Sequence, residues 1–322
     1  MILLTGAAGF IGSSVALKLA AQGHTVLGVD NLNTYYSKAL KQDRLNRLKP
    51  YKNFNFNALD IADISALKAL CEKTPPTHIV HLAAQAGVRY SIENPDAYVQ
   101  SNLVGHANML EIARIYSVKH MIYASSSSVY GGNETVPFSE DQPTDDPVSF
   151  YGATKKSNEV LSNSYARLYK IPLTGLRFFT VYGPWGRPDM AYWLFTEAIS
   201  KGKPIEVFNQ GEMRRDFTYI DDIVDGMISA LNCPPDRRAN PPHTLYNLGN
   251  DQPEKLIDFI ALIEEYMGKP AEKIMKPMQD GDVVQTWANI DRARQDLGYN
   301  PKTALREGLK AFVSWYKVYH AL

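Results

Sequence analysis

The sequence predicts an α/β protein: a doubly wound parallel sheet with a second, smaller α/β domain. Three observations predict it. The chain opens on Ile2-Leu3-Leu4-Thr5, a short buried strand, then Gly6-Ala7-Ala8-Gly9-Phe10-Ile11-Gly12 and a helical run from Ser13 to Gln22. Apolar runs of strand length then alternate with helical patterns as far as Phe178, as a parallel sheet with crossover helices requires. Finally, Tyr151 and Lys155 stand one helical turn apart, downstream of four consecutive serines that continue a strand.

The opening has the order a Rossmann-type dinucleotide site needs. Glycines at positions 6, 9 and 12 permit a tight turn and let backbone approach a pyrophosphate, and the following helix N-terminus favours negative charge. The next strand, Thr25 to Val29, ends in Asp30. An acid there accepts from both ribose hydroxyls and repels a 2′-phosphate, which predicts NAD rather than NADP. Ser37 to Leu48 reads as a basic amphipathic helix with a solvated face. A strand from Phe54 to Leu59 ends at Asp60, which either meets the adenine or caps the helix beginning near Asp63. The strand His78 to Leu82 leads into Ala83-Ala84-Gln85, small enough for a cofactor to lie against. His81 reads as a packed strand residue without a partner. Arg89, in the loop that follows, reads equally as an anion contact or a surface charge. A long helix from Pro95 to Tyr116 carries Asn102 near its start.

The strand His120 to Ala124 delivers Ser125-Ser126-Ser127-Ser128. A serine hydroxyl at a strand end can donate to an oxygen that gains charge. Tyr151 can then move the proton, with Lys155 lowering its pKa. A Tyr/Lys pair on a surface helix is the plain alternative, and the serine run with the nucleotide-binding start argues against it.

Composition excludes other classes. In 322 residues Lys+Arg and Asp+Glu both count 34, so charge points to neither nucleic acid nor membrane. Cys71 and Cys233 form no metal or disulfide pattern, which suits a reducing cytoplasm, and no metal site is expected. No apolar run reaches membrane-spanning length, and the start lacks the features of a signal peptide.

These pieces together resemble the extended short-chain dehydrogenase/reductases over essentially the whole length. The matching runs are Thr5 to Gly12, His81 to Ala84, Ser125 to Gly131, Tyr151-x-x-x-Lys155 and Arg215 to Asp222. Two longer runs, Ala86 to Pro95 and Leu176 to Met190, are similar to the UDP-glucuronate 4-epimerases. The resemblance implies a bound NAD that takes a hydride from C4 of the sugar and returns it to the other face, converting UDP-glucuronate to UDP-galacturonate through a 4-keto sugar. Ser126, Tyr151 and Lys155 would be catalytic. Gly6, Gly9, Phe10, Ile11, Gly12, Asp30, Asn31, Asp60, Ile61, Leu82, Ala83, Ala84, Gln85 and Asn102 would join Tyr151 and Lys155 around the cofactor. Arg89, Ser127, Ser128, Thr180, Arg187, Arg215, Gln279 and Asp282 would meet the substrate. Arg187 is the favoured partner of its carboxylate, because guanidinium matches carboxylate bidentately.

Departures from related families sharpen this. The 4,6-dehydratases carry an Asp-Glu pair where Ser127-Ser128 stand, and the decarboxylases a glutamate at Ser128. UDP-galactose 4-epimerases have asparagine at Thr180, and related epimerases arginine at Gln279. The alternatives retained are a 4-epimerase of neutral UDP-hexoses or UDP-N-acetylhexosamines, a UDP-glucuronate decarboxylase, and an NAD-sensing binding protein. Residues 1–178 are expected to form the NAD-binding domain, with about 217–248 returning to it, and 179–322 the interleaved UDP-sugar domain. By resemblance, a homodimer forms through helices near 97–116 and 151–169.

Overall fold

The computed structural model describes residues 1–278 and 282–322. Six strands arise in order along the first half: β1 (Ile2–Thr5), β2 (Val26–Asp30), β3 (Phe54–Ala58), β4 (His78–His81), β5 (His120–Ser126) and β6 (Leu173–Phe178). After them come β7 (Thr180–Tyr182), β8 (Ile205–Val207), β9 (Arg214–Tyr219), β10 (His243–Leu248), β11 (Pro253–Lys255) and β12 (Lys273–Met275). A seven-stranded sheet has the order β10-β6-β5-β4-β1-β2-β3. Every pair in it is parallel. The expected doubly wound α/β fold is therefore present. β1 lies between β2 and β4, where the winding reverses, so the crevice that binds ligands opens beyond the carboxyl end of β1.

Most of these strands are buried, and their Val, Ile and Leu side chains fill cores on both faces. A separate core gathers Tyr192, Trp193, Phe217, Phe259 and Phe312 under the remaining elements. There β11, β9 and β7 form a three-stranded sheet, and β12 pairs with β8. The chain leaves the large sheet after β6 and re-enters it at β10. The strand over 214–219 belongs to the small sheet.

Three expectations change. The helix Lys38–Asn46 is not a solvated basic face: Lys41 and Arg44 on it are buried. Lys41 turns in to the Asn33 carbonyl just before the helix, and Arg44 to carbonyls of the distant Ala8, Trp185 and Gly186. The long helix after Pro95 is continuous but widens into a π-type turn at Val99–Val104. His81 does have a partner, the Thr5 hydroxyl at 2.7 Å from Nδ1. Burial then pushes its imidazole down to about 3, so it stays neutral.

Candidate active site

The glycine turn follows β1. Gly6 has φ +73°, and a Cβ there would lie 2.8 Å from the Ala83 backbone nitrogen. A Cβ on Gly12 would lie 1.9 Å from the Gly6 oxygen. Only bare backbone lets turn, β4 end and helix close together. The helix Phe10–Ala21 has neither a side-chain cap nor an acid in its first turn, so its leading N–H groups remain available to an anion. Asp30 ends β2 and takes one backbone N–H on each oxygen, from Ala8 at 3.1 Å and Leu32 at 2.9 Å. Those bonds orient the carboxylate at the cleft wall and leave lone pairs for ribose hydroxyls.

Asp60 does not cap the next helix; Asp63 does, accepting from the Ala66 N–H at 2.9 Å. Asp60 accepts instead from the Asn31 amide, 2.9 Å, and the Ala62 N–H, 2.9 Å. Asn102 was expected against the cofactor, and the structure places it elsewhere. Its amide clasps the Gln85 backbone, accepting from N–H at 2.8 Å and donating to C=O at 3.0 Å, and also donates to the Thr154 hydroxyl. It shapes the loop after β4 from behind, because its polar atoms are already spent there.

β5 runs on through Ser126, and Ser127–Tyr130 forms a single tight turn. The Ser126 hydroxyl accepts from the Ser128 N–H at 3.1 Å and donates to the Ser128 hydroxyl at 3.2 Å. Ser149 caps the helix Phe150–Tyr169 by accepting from the Gly152 N–H at 3.0 Å. That start sets Tyr151 and Lys155 on the cleft side. Burial pushes the Tyr151 phenol above its ordinary range, while the Ser126 hydroxyl and the Arg187 charge pull it back. Lys155 was expected to do that pulling. Its ammonium instead donates to the Ala124 carbonyl at 2.8 Å and lies 6.0 Å from the Tyr151 ring centre. Burial brings its pKa down to about 8.

On the substrate side Arg187 is not a free cation. Its Nε donates to Asp189 at 3.1 Å and its Nη2 to the other carboxylate oxygen. Tyr35 donates to that same oxygen at 3.1 Å. The carboxylate partner of Arg187 is only two residues away, beyond Pro188, and the fold of the loop is what brings the two charges together. Arg215 and Asp282 come together at 2.6 Å. The Arg89 guanidinium stacks 5.2 Å from the Phe208 ring centre. Thr180 begins β7 at the same cleft. Gln279 lies outside the described residues. Met190, Leu194 and Phe195, on the helix Ala191–Ser200 and its cap, and Phe208 after β8 add an apolar wall; the helical spacing of the first three reads as core.

Behind the serines lies a buried network also not foreseen. Arg177 makes a two-pronged bond to Glu159, at 2.8 and 2.9 Å, and a third to the Tyr130 hydroxyl at 3.0 Å. Glu159 also accepts from Ser125 at 2.6 Å, and Tyr130 donates to Asn247 at 2.7 Å. The end of β5, and with it Ser126, is thus anchored to β6 and β10. A second keystone is Asp216, whose carboxylate takes N–H donors from Asn250, Asp251 and Ala288 and the Thr218 hydroxyl. Burial nevertheless pushes it up to about 6.

One cleft of about 980 Å³ joins both ends of the site. The glycine turn, Asp30, Asn31, Asp60, Ile61 and Leu82 to Gln85 line it with Arg89, Ser126 to Ser128, Tyr151, Lys155, Thr180, Arg187, Arg215 and Asp282. The bare turn, the uncapped helix end and the oriented Asp30 fit a dinucleotide. Among the described residues no group of three His, Cys, Asp or Glu could hold a metal, and no helix is long and apolar enough to cross a membrane. Asp30→Ala is expected to weaken NAD at least about tenfold, the cost of losing a hydrogen bond to a charged group, and to narrow the preference over NADP. Calorimetric titration with each dinucleotide checks this, and tighter binding of NADP to the unaltered protein would overturn it.

Comparison with known proteins agrees with the geometry. Residues 2–249 match the model of the NAD dependent epimerase/dehydratase family. UDP-glucuronate 4-epimerase 2 of Arabidopsis thaliana is 47% identical over 331 residues, covering 99% of this chain and 76% of that protein. The crystal structure of UDP-glucuronic acid 4-epimerase from Bacillus cereus, in complex with UDP-glucuronic acid and NAD, superposes with TM-score 0.90. It is 35% identical, over 99% of both chains. UDP-glucose 4-epimerase of Thermotoga maritima, with UDP-glucose, gives TM-score 0.88 at 32% identity, again over 99% of both chains. With the glycine turn, Asp30 and the Ser126/Tyr151/Lys155 arrangement in one cleft, this chain belongs to the NAD dependent epimerase/dehydratase family.

Proposed function

We propose that this protein is an NAD-dependent isomerase that interconverts UDP-glucuronate and UDP-galacturonate at C4. The observation that carries the reading is the set of groups around the Tyr151 phenol. Hydroxyls of Ser126, Ser127, Ser128 and Thr180 and the Arg187 side chain line one cleft with it, and serines stand where elimination or decarboxylation would call for carboxylates. The Arabidopsis and Bacillus cereus relatives, named for this reaction, support it.

Tyr151, once ionised, accepts the proton of the C4 hydroxyl and gives one back when the carbonyl is reduced; burial raises the pKa of its phenol, and the Ser126 hydroxyl and the Arg187 charge oppose that rise. Ser126 would donate its single hydroxyl proton to the same oxygen, turning it away from the Ser128 hydroxyl. Lys155, still charged at neutral pH with a pKa of about 8, supplies the positive field on that side of the cleft and a donor for the nicotinamide ribose. NAD, when bound, supplies reversible hydride acceptance at C4, so no outside reductant is consumed.

The 4-keto form of a uronate is a β-keto acid, which loses carbon dioxide when its carboxylate bond aligns with the carbonyl π system. Ser127, Ser128 and Thr180 offer hydroxyl donors that keep the carboxylate out of that alignment while the sugar turns over. Arg215 and Asp282 would meet the nucleotide, as would Arg89 beside Phe208. Residues 1–178 with the later return strand carry the cofactor, and the remaining elements carry the sugar nucleotide. A homodimer through the helices near 97–116 and 151–169 is part of the proposal, supported by exposed Val104, Ile115, Val160 and Leu168 on them. So is a cytoplasmic setting, supported by two free thiols.

The Arg187–Asp189 pair favours a second reading, a neutral UDP-hexose, because the cation is already balanced. Proton NMR of UDP-glucuronate and of UDP-glucose, each incubated with the protein, separates the two. Inversion at C4 shows in the H4 couplings. The expected result is turnover of the uronate at least about tenfold faster, the worth of one hydrogen bond to a charged group. Faster turnover of UDP-glucose would move the second reading ahead, and release of carbon dioxide with a UDP-pentose would replace both.

A further inference from the structure

Arg44 is wholly buried on the helix Lys38–Asn46, and its four hydrogen bonds go to uncharged oxygens. Its Nε donates to the Trp185 carbonyl at 2.9 Å and its Nη2 to the Gly186 carbonyl at 2.7 Å. Its Nη1 donates to the Ala8 carbonyl at 3.1 Å and the Tyr36 hydroxyl at 2.6 Å. A buried cation without a carboxylate is costly. The cost is tolerated where the fork of donors does something one point charge cannot. Here it grips two segments far apart in sequence: the glycine turn that receives the cofactor, and the loop that leads into Arg187.

Both segments are held on their other sides as well. The backbone of Ala8 is bonded on both sides, its N–H to Asp30 and its C=O to Arg44. In the loop, Trp185 sits at φ +64° and packs against the stacked rings of Trp315 and Tyr319. A Cβ on Gly186 would meet the Tyr192 hydroxyl at 2.3 Å, and that hydroxyl accepts the Arg187 N–H at 2.9 Å. Tyr35, from the segment that enters the Arg44 helix, reaches Asp189 and through it Arg187. The loop 185–189 is therefore gripped at two points by residues 35–44, which hang in turn from the cofactor turn.

We propose that Arg44 is a positioning residue that couples the two ligand sites. A dinucleotide seated on the glycine turn adds its own contacts to that backbone and so narrows the motion left to it. Arg44 passes that order to the Arg187 loop, so cofactor and nucleotide sugar strengthen each other's binding. By linkage the effect must be reciprocal, and it can be read from either ligand. The proposal rests on the epimerase reading only for the identity of the second ligand, so plain UDP serves as the probe.

The test is the equilibrium Kd of NAD for the full chain, measured with and without saturating UDP. In the unaltered protein UDP is expected to tighten NAD about tenfold, inside the usual range of about 5–150-fold for coupled sites. In Arg44→Lys, which keeps the charge but loses the fork, both ligands still bind and the ratio falls to within about twofold of one. A merely structural role would weaken both ligands and leave the ratio alone. Tyr35→Phe removes only the grip on Asp189 and is expected to give an intermediate ratio. It carries the test if Arg44→Lys does not fold. A ratio of one in the unaltered protein, or an unchanged ratio in both variants, overturns the proposal. Failure of the epimerase reading shows separately, as absent inversion at C4 in the unaltered protein.

Discussion

Tyr151→Phe is expected to fold, to keep its NAD and to lose turnover of UDP-glucuronate by about a hundred- to ten-thousandfold, the usual worth of general acid–base catalysis. The substitution removes one oxygen from a buried ring. The ring's packing against Tyr98, 6.1 Å between centres, and the Ser91 hydroxyl bonded to the backbone N–H of residue 151 remain. What is lost is the only step for which this oxygen is placed, proton exchange with the C4 hydroxyl. Because the interaction belongs to the transition state, kcat and kcat/KM should fall together while KM moves little. Steady-state kinetics with UDP-glucuronate, alongside the absorbance of bound dinucleotide, provide the check. Activity within about threefold of the unaltered enzyme would sink the assignment and turn attention to Ser126 or Ser128 as the proton acceptor.

Arg177→Met is expected to cost about 3–5 kcal/mol of stability, because it strands Glu159 as an unpaired charge in the interior. Both partners are almost wholly enclosed. Burial alone would favour losing the Arg177 charge, yet the two-pronged bond to Glu159 and the Tyr130 hydroxyl hold it firmly protonated. The damage should reach function, since Glu159 also holds Ser125, the neighbour of Ser126. The double variant Arg177→Met/Glu159→Leu removes both charges and is expected to recover most of the stability, because apolar groups of similar volume commonly replace buried pairs without loss. It should not recover the activity, because Ser125 still lacks its acceptor. Urea denaturation midpoints of the three proteins, with the slope checked for constancy, measure this. A single variant within about 0.5 kcal/mol of the unaltered protein would show that the pair does not anchor β5.

The sequence by itself determined whatever is encoded over a few residues. The bare turn at Gly6 to Gly12 after an apolar strand, Asp30 closing the next strand, and Tyr151 one helical turn from Lys155 each have local geometry that spacing alone dictates. The alternation of strands and helices determined the doubly wound sheet in the same way. Tertiary structure decided which polar groups are already engaged. Arg44 and Gly186 lie 142 positions apart, and Tyr35 and Asp189 154. No periodicity carries that information, so a buried guanidinium read as a solvated one. Asn102 read as a cofactor contact because nothing local shows that its amide serves the Gln85 backbone. Arg187 read as a free cation, although its partner is two residues away, because neighbouring charges on a loop pair only when the chain folds back on itself. The limit is physical: a side chain's type shows what it can bond, and only the folded chain brings up the groups that compete for that bond.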